Sequence, residues 1–486
     1  MKLKLIQSIL MVLWASCLYA KLPANGSIII SLKFNDPILQ GKEFKFEYYK
    51  FYSETIDGNY CEKYSIKAKG QRAFVIVNKT SKIGYIKFIA PDPYGKLIDV
   101  KFLTKKGDRI NLTFEDGKIK ISGKDAVRYK CQILANDVPL DKSVIKHFNN
   151  LDTMFLVNQL EIGNSLYNGR LEILTKFYKY LSLEEKEILK LNFKSKRDLD
   201  FIRMLRFSRI QTISSERGNM NNFSKKYLQS IEINEKSNQF GKYSYNYPDF
   251  LLDKERLELE WSVINNHNSE NYSFGTLFNN LKKNYKGILK DRLLTISVCH
   301  PLIVERTQTD KYVEDGLQIV SDPVCKAILL DRKKFGKGAV AYNFKLYDTS
   351  DRAVCLTDFK GKVVILDFYF NGCTGCANLN RAMIPIVDQL KNNPNVVFIS
   401  VNVDKTKELF LKSVKESIYT HKESINLYTN GQGQDHELVK YYKINGYSKL
   451  IIIDKFGRVL DGNPPLPFSL NSTESFLSII ETGLAN

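Results

Sequence analysis

Apolar and polar positions along the chain change their period twice. From about Ser27 to Gln132, short runs rich in β-branched and aromatic residues alternate with turn residues: "SIIISLKF", "FKFEYYKFY", "RAFVIVN" and "GYIKFIA". That texture predicts strands. The stretch "KKGDRINLTFEDGKIKISGK" predicts two more short strands meeting at Asp116-Gly117, a hairpin signal. Together they predict a β-sandwich-like domain over residues 21–134.

From about Ala135 to Pro301 the period becomes helical. Leu171, Leu174, Tyr178 and Leu181 recur at helix spacing. Ser182-Leu183-Glu184-Glu185 reads as a capping box opening the next helix. Leu277, Leu281, Ile288 and Leu289 mark another. An α-helical middle domain is expected over 135–325, its Leu and aromatic stripes serving as packing faces and not as a cofactor box.

From about Val340 strands and helices alternate. "VVILDFYF" is a buried-strand run, Cys376 to Lys391 is periodic at helix spacing, and "NVVFISVNVD" is a second strand. "TKELFLKSVKES" predicts a helix, "INLYT" a short strand and "HELVKYYKI" a helix. "KLIIIDKFGRVL" predicts a hairpin turning at Lys455-Phe456-Gly457, and "STESFLSIIE" a closing helix. This order implies a mixed sheet flanked by helices over residues 326–486.

Composition supports a folded, multi-domain chain. There are 486 residues, more than one core usually organises, and 43% of them are hydrophobic. The net charge is +19, yet the lysines are scattered among acidic residues with no long basic block. Nucleic acid is therefore not an expected partner. A solvated surface with weak attraction to anionic membranes or glycans is.

The first twenty residues, "MKLKLIQSILMVLWASCLYA", predict a signal peptide: Lys2 and Lys4, an apolar stretch from Leu5 to Ala15, then small residues to Ala20. Cleavage after Ala20 is expected, although Leu18 fits the site poorly. Lipid attachment at Cys17 is disfavoured because Trp14 stands where such a motif has Leu. No later segment is apolar and long enough to span a membrane. The expectation is an exported protein in a compartment where disulfides persist.

The cysteines are 17, 61, 131, 299, 325, 355, 373 and 376; without Cys17 an odd number remains, so at least one thiol is unpaired. Cys61 and Cys131 lie in the β-rich region and would either pair or stay as buried thiols. Cys299 and Cys325 flank the junction before the α/β region and are candidates for a bridge. Cys355 reads as a buried thiol on a strand.

Cys373 and Cys376 carry the chemistry. An apolar strand leads to Asn371-Gly372, and a helix begins at the cysteines. A thiol there faces unpaired N–H groups and the positive end of the helix dipole. Both favour thiolate, which lowers a cysteine pKa from about 8.5 to roughly 3.5–7.5 in such settings. Cys376 lies one turn on, close enough to form a disulfide with Cys373 and to shuttle between dithiol and disulfide.

The lead-in "FKLYDTSDRAVCLTDFKGKVVILDFYF", the Cys373–Cys376 pair and the closing "INGYSKLIIIDKFGRVL" resemble the exported thioredoxin-like proteins of the TlpA/ResA type, in their multi-domain Bacteroidetes versions. The resemblance runs from about Phe335 to the end. "KISGKDAVRYKCQ" and the helical middle resemble the regions that precede the thioredoxin fold in those proteins. The resemblance implies a thiol–disulfide oxidoreductase of the periplasm or cell envelope, without a cofactor or metal. Its expected partners are disulfide-bearing exported proteins and an upstream dithiol electron donor, and reduction is the expected direction. Cys373 takes the place of the exposed attacking cysteine and Cys376 of the buried resolving one. Asp367 matches the buried acid that would accept the Cys376 proton; its other reading is a satisfied structural carboxylate.

Three departures mark the substrate edge. Gly372 stands where an aromatic wall residue is usual, implying an open site. Pro385 comes late, implying rearranged first helical turns. Tyr447-Ser448 occupies the place of the family's cis-proline loop. A cis bond before a non-proline residue costs about 2.5–4 kcal/mol, so a trans bond is expected there. Losing the proline also makes metal capture by the thiolates easier. Two alternatives therefore stay open: a copper- or zinc-binding thioredoxin-like module, for which His421 and His436 fall in the same domain but in no ligand-spaced motif and read as surface residues, and a non-catalytic envelope-assembly protein with a static disulfide. A peroxidase is disfavoured, because Phe370 stands where a peroxide-binding hydroxyl would be. Trp261, the sole tryptophan after residue 20, falls in the helical region, so fluorescence should respond little to the redox state.

Overall fold

The computed structural model describes residues 26–485 apart from 55, 57–59, 79, 92–100, 147–151, 212–216, 266–272, 300–308 and 445. The expected signal peptide and Cys17 lie outside the described residues. The chain divides into two compact units, Met1–Ser273 with Asn279–Ile296, and Phe274–Phe278 with Ser297–Asn486.

The first unit opens with β1 (Ile28–Phe34), β2 (Glu43–Tyr49), β3 (Glu62–Lys67), β4 (Arg72–Val77), β5 (Ile83–Ile89), β6 (Lys101–Lys105), β7 (Arg109–Glu115) and β8 (Lys118–Ser122). They form two four-stranded sheets, ordered β4-β1-β7-β8 and β3-β2-β5-β6. Alternation decides what faces inward: Ile28, Ile30, Leu32 and Phe34 of β1 share one core with Phe44, Phe46 and Tyr48 of β2. Two inner faces enclosing one core make this a sandwich, as the strand texture predicts. Asp116 and Gly117 take φ of 51° and 68°, which is why this dipeptide turns β7 into β8.

Helices follow: α1 (Ala126–Asn136), α2 (Thr153–Lys176), α3 (Leu183–Gln211), α4 (Arg217–Ser230), α5 (Glu235–Gly241), α6 (Tyr247–Asn265), α7 (Phe274–Asn284), α8 (Gly287–Cys299), α9 (Thr309–Ile319) and α10 (Pro323–Lys333). The capping box is present, with Ser182 N and Oγ both donating to Glu185 Oε2 at 2.7 and 2.9 Å. The same Glu185 accepts from buried Arg128 of α1 at 2.5 Å, and Arg128 also pairs with Asp108 just before β7. The segment read as one helix from Leu277 to Leu289 is two, because Gly287 adopts φ of 58° where α8 begins.

The second unit takes in α9 and α10 and continues with β9 (Lys345–Tyr347), β10 (Ala353–Cys355), β11 (Val363–Tyr369), α11 (Thr374–Leu390), β12 (Val396–Asn402), α12 (Lys407–Glu416), β13 (Ile425–Tyr428), α13 (Glu437–Tyr441), β14 (Lys449–Ile453), β15 (Val459–Asp461) and α14 (Leu470–Ala485). Its sheet is mixed, in the order β10-β9-β13-β12-β11-β14-β15. β11 runs parallel to β12 and antiparallel to β14. Being central, β11 is apolar on both faces. Val364, Leu366 and Phe368 join one core, while Val363 and Ile365 pack with Leu379, Met383 and Ile386 of α11 and Phe476 of α14. α11 runs unbroken through Pro385, so that proline rearranges nothing in its first turns.

Among the described residues no helix is long and apolar enough to cross a membrane. Cys131 is a free thiol buried in the cluster against which Cys61 packs, so those two do not pair. Cys299 is likewise free and not bridged to Cys325; burial pushes its pKa up to about 11. Cys355 is partly buried at the end of β10 and precedes a short helical turn, its N–H donating to Asp358 at 2.8 Å.

Candidate active site

The apolar run of β11 ends at Tyr369, whose carbonyl accepts from Val403 N at 3.0 Å. The next residues leave the sheet in a turn held from outside. Asn371 N–H donates to both carboxylate oxygens of Asp404, at 3.2 and 3.0 Å, and Gly372 takes φ of 93°. That angle suits glycine and opposes a side chain. Cys373 is the N-cap of α11: its Sγ accepts from Cys376 N at 3.1 Å. Cys373 and Cys376 are joined in a disulfide with Cα atoms 5.3 Å apart.

Both sulfur-bearing residues are enclosed. Cys373 is 5% exposed and Cys376 1%. They pack with Tyr369, Tyr419 and Tyr447. Tyr419 stacks on Tyr369 (6.2 Å between centroids, 15° between planes), and Phe370 meets Tyr447 edge to face at 5.4 Å. This corrects the expectation of an exposed Cys373, whereas Gly372 itself is exposed and a Cβ there would meet nothing within 4 Å, so the flank beside it is open as expected. Neither Tyr419 nor Asp404 was identified from the sequence. They lie 47 and 33 residues from the backbone amides they hold, and no local pattern marks such a contact.

Asp367 lies on β11 between Ile365, which packs on α11, and Tyr369, which packs on the cysteines. The two-residue alternation of a strand puts all three on the helix face. Its Oδ1 is buried without a hydrogen-bond partner, and burial raises its pKa to about 7. A carboxyl left unpaired and titrating near neutrality is suited to taking and releasing a proton.

Tyr447 and Ser448 are brought to the cysteines as well. A Cβ on Gly375, between the two cysteines, would meet the Tyr447 carbonyl at 3.5 Å and Ser448 N at 3.8 Å. The Tyr447–Ser448 peptide is cis, which corrects the expected trans bond. The trans preference is a property of the isolated amide. Here the peptide is placed by its neighbours: Lys449 is already paired with Phe368, and the Tyr447 carbonyl lies against Gly375.

Among the described residues no group of three or more His, Cys, Asp or Glu side chains is placed to hold a metal ion. His436 Nδ1 caps α13 by accepting from Leu438 N at 3.2 Å. His421 is partly buried, which lowers its pKa.

The sheet order, the helix after β11 and the cysteine pair at its start define the class: residues 361–459 match the family described as Thioredoxin-like, and the C-terminal unit is a thioredoxin-like α/β domain. Among solved structures the chain is similar to the thioredoxin domain of a thiol-disulfide oxidoreductase from Bacteroides vulgatus. The identity is 20%, over 30% of this chain and 98% of that one, with a TM-score of 0.26. It is also similar to a thiol:disulfide interchange protein from Bacteroides sp., at 24% identity over 29% of this chain and 91% of that one, TM-score 0.26. No curated protein matches the chain.

Proposed function

We propose that the C-terminal domain is a thiol–disulfide oxidoreductase that reduces disulfides of exported proteins in the periplasm or cell envelope, in the manner of the TlpA/ResA type. The observation that carries the reading is the redox pair itself: a disulfide at a helix N-terminus, with the Cys376 N–H directed at Cys373 Sγ. In the reduced form that N–H and the helix dipole stabilise a Cys373 thiolate.

The thiolate attacks one sulfur of a substrate disulfide. A Cys373–substrate bond forms, and the other substrate sulfur leaves as thiolate and takes a proton. Asp367, ionised, then accepts the Cys376 proton. The Cys376 thiolate attacks Cys373 Sγ, the intrachain disulfide closes, and the second substrate thiol is released. Two electrons reach the substrate, and an upstream dithiol donor returns the pair to its reduced form. Tyr447, Ser448 and Gly372 border the sulfur and form the substrate edge.

Insulin-disulfide reduction by the mature protein tests the reading. Wild type is expected to be active, Cys373→Ser inactive, and Cys376→Ser to accumulate the mixed disulfide. A wild type no faster than the double variant would sink the proposal.

A further inference from the structure

The Gly372 flank raises a question of its own. Glycine removes the side chain that would wall Cys373 and a Cβ there would meet nothing within 4 Å, yet Tyr419 packs on the cluster that holds both sulfurs. Two contacts fix that residue. Its ring stacks on Tyr369, and its hydroxyl accepts the Gly372 N–H at 3.0 Å. The loop carrying it leaves α12 through Ser417, in the left-handed region at φ 53°. Asn380, buried on α11 one turn beyond Cys376, holds that loop. Its Nδ2 donates to the carbonyls of Ser417, Ile418 and Thr420 at 3.1, 3.0 and 3.3 Å. The helix that bears the cysteines thus also bears the clamp for the residue that covers them.

We propose that Tyr419, clamped by Asn380, is a positioning residue of the redox site: its ring, packed on the cluster of Tyr369, Cys373 and Cys376, limits the water that reaches the Cys373 thiolate. The inference rests on the redox reading above. The helix N-terminus favours thiolate, whereas apolar enclosure favours thiol. Tyr419 supplies part of the enclosure, so it tunes Cys373 against the helix.

The test is the rate at which iodoacetamide alkylates Cys373 in the reduced full chain across pH, with the Cys373 peptide quantified by mass spectrometry. Tyr419→Ala should react about tenfold faster below the thiol pKa, corresponding to a fall of about 1 in that pKa. Tyr419→Phe, which keeps the ring, should stay within about twofold of wild type. Asn380→Ala should move in the same direction as Tyr419→Ala. Should Tyr419→Ala not fold, Tyr419→Gln carries the same readout. An unchanged rate and pKa in Tyr419→Ala or its substitute, or an equal change in Tyr419→Phe, would overturn the proposal. Alkylation needs no disulfide substrate, so a failure of insulin reduction leaves this test standing.

Discussion

Asp367 keeps its proton to a pH of about 7 in the folded chain, because one carboxylate oxygen is buried without a partner. In the unfolded chain an aspartate titrates near 3.9. Between those values the folded state holds a proton that the unfolded state has released. Stability therefore falls as pH rises through this window and levels off above about 7. Asp367→Asn removes the titration. Its melting temperature should be close to wild type near pH 4 and higher at pH 8, by up to about 4 kcal/mol of stability. Thermal unfolding of both proteins across pH checks this, and parallel curves would reject the assignment. The same variant should lose the rise in reductase rate that accompanies ionisation of Asp367. The two cysteines were legible in the sequence because the apolar strand and the helical period place them at a strand–helix junction, whereas Asp367 was singled out only through the resemblance to the TlpA/ResA type. Tyr419 and Asn380 were not legible, because their contacts join a loop to a distant helix through backbone atoms, which any residue type supplies.

At the scale of elements, period was informative wherever one face of an element is buried. On β1 and β7 of the sandwich buried and more exposed positions alternate, whereas β5 and β6 are buried on both faces, and Asp116-Gly117 marks its turn by chemistry as well as position. Period failed between Leu277 and Leu289, since Leu281 and Leu289 are both buried although they belong to different helices. The break rests on Gly287, and an isolated glycine is also tolerated inside helices. The buried group Asp108–Arg128–Glu185 ties the start of β7, α1 and α3 together, and its cost when broken belongs at this scale. Arg128→Ala leaves two carboxylates without their cation and should destabilise the first unit by about 3–5 kcal/mol. Urea unfolding followed through Trp261, which lies on α6 in that unit, reads the loss directly. A midpoint equal to wild type would mean that Lys105, 3.6 Å from Glu185, compensates.

For the molecule as a whole, the charge of +19 is spread widely enough that its effect is a field more than a site. The full chain is expected to co-sediment with anionic vesicles at low ionic strength and to be released at about 0.3 M salt, where the field is screened within several ångströms. Binding that survives such salt would argue for a lipid anchor instead. The turn before Cys373 shows what the intact fold contributes to chemistry that looks local. The amides of Asn371 and Gly372 are fastened by Asp404 and Tyr419, each from another part of the domain. Residues 371–376 are consequently no portable cassette. Grafted onto a foreign scaffold, the hexapeptide would bring its sulfurs but leave its moorings behind, and a working transplant would have to carry three separate stretches of chain.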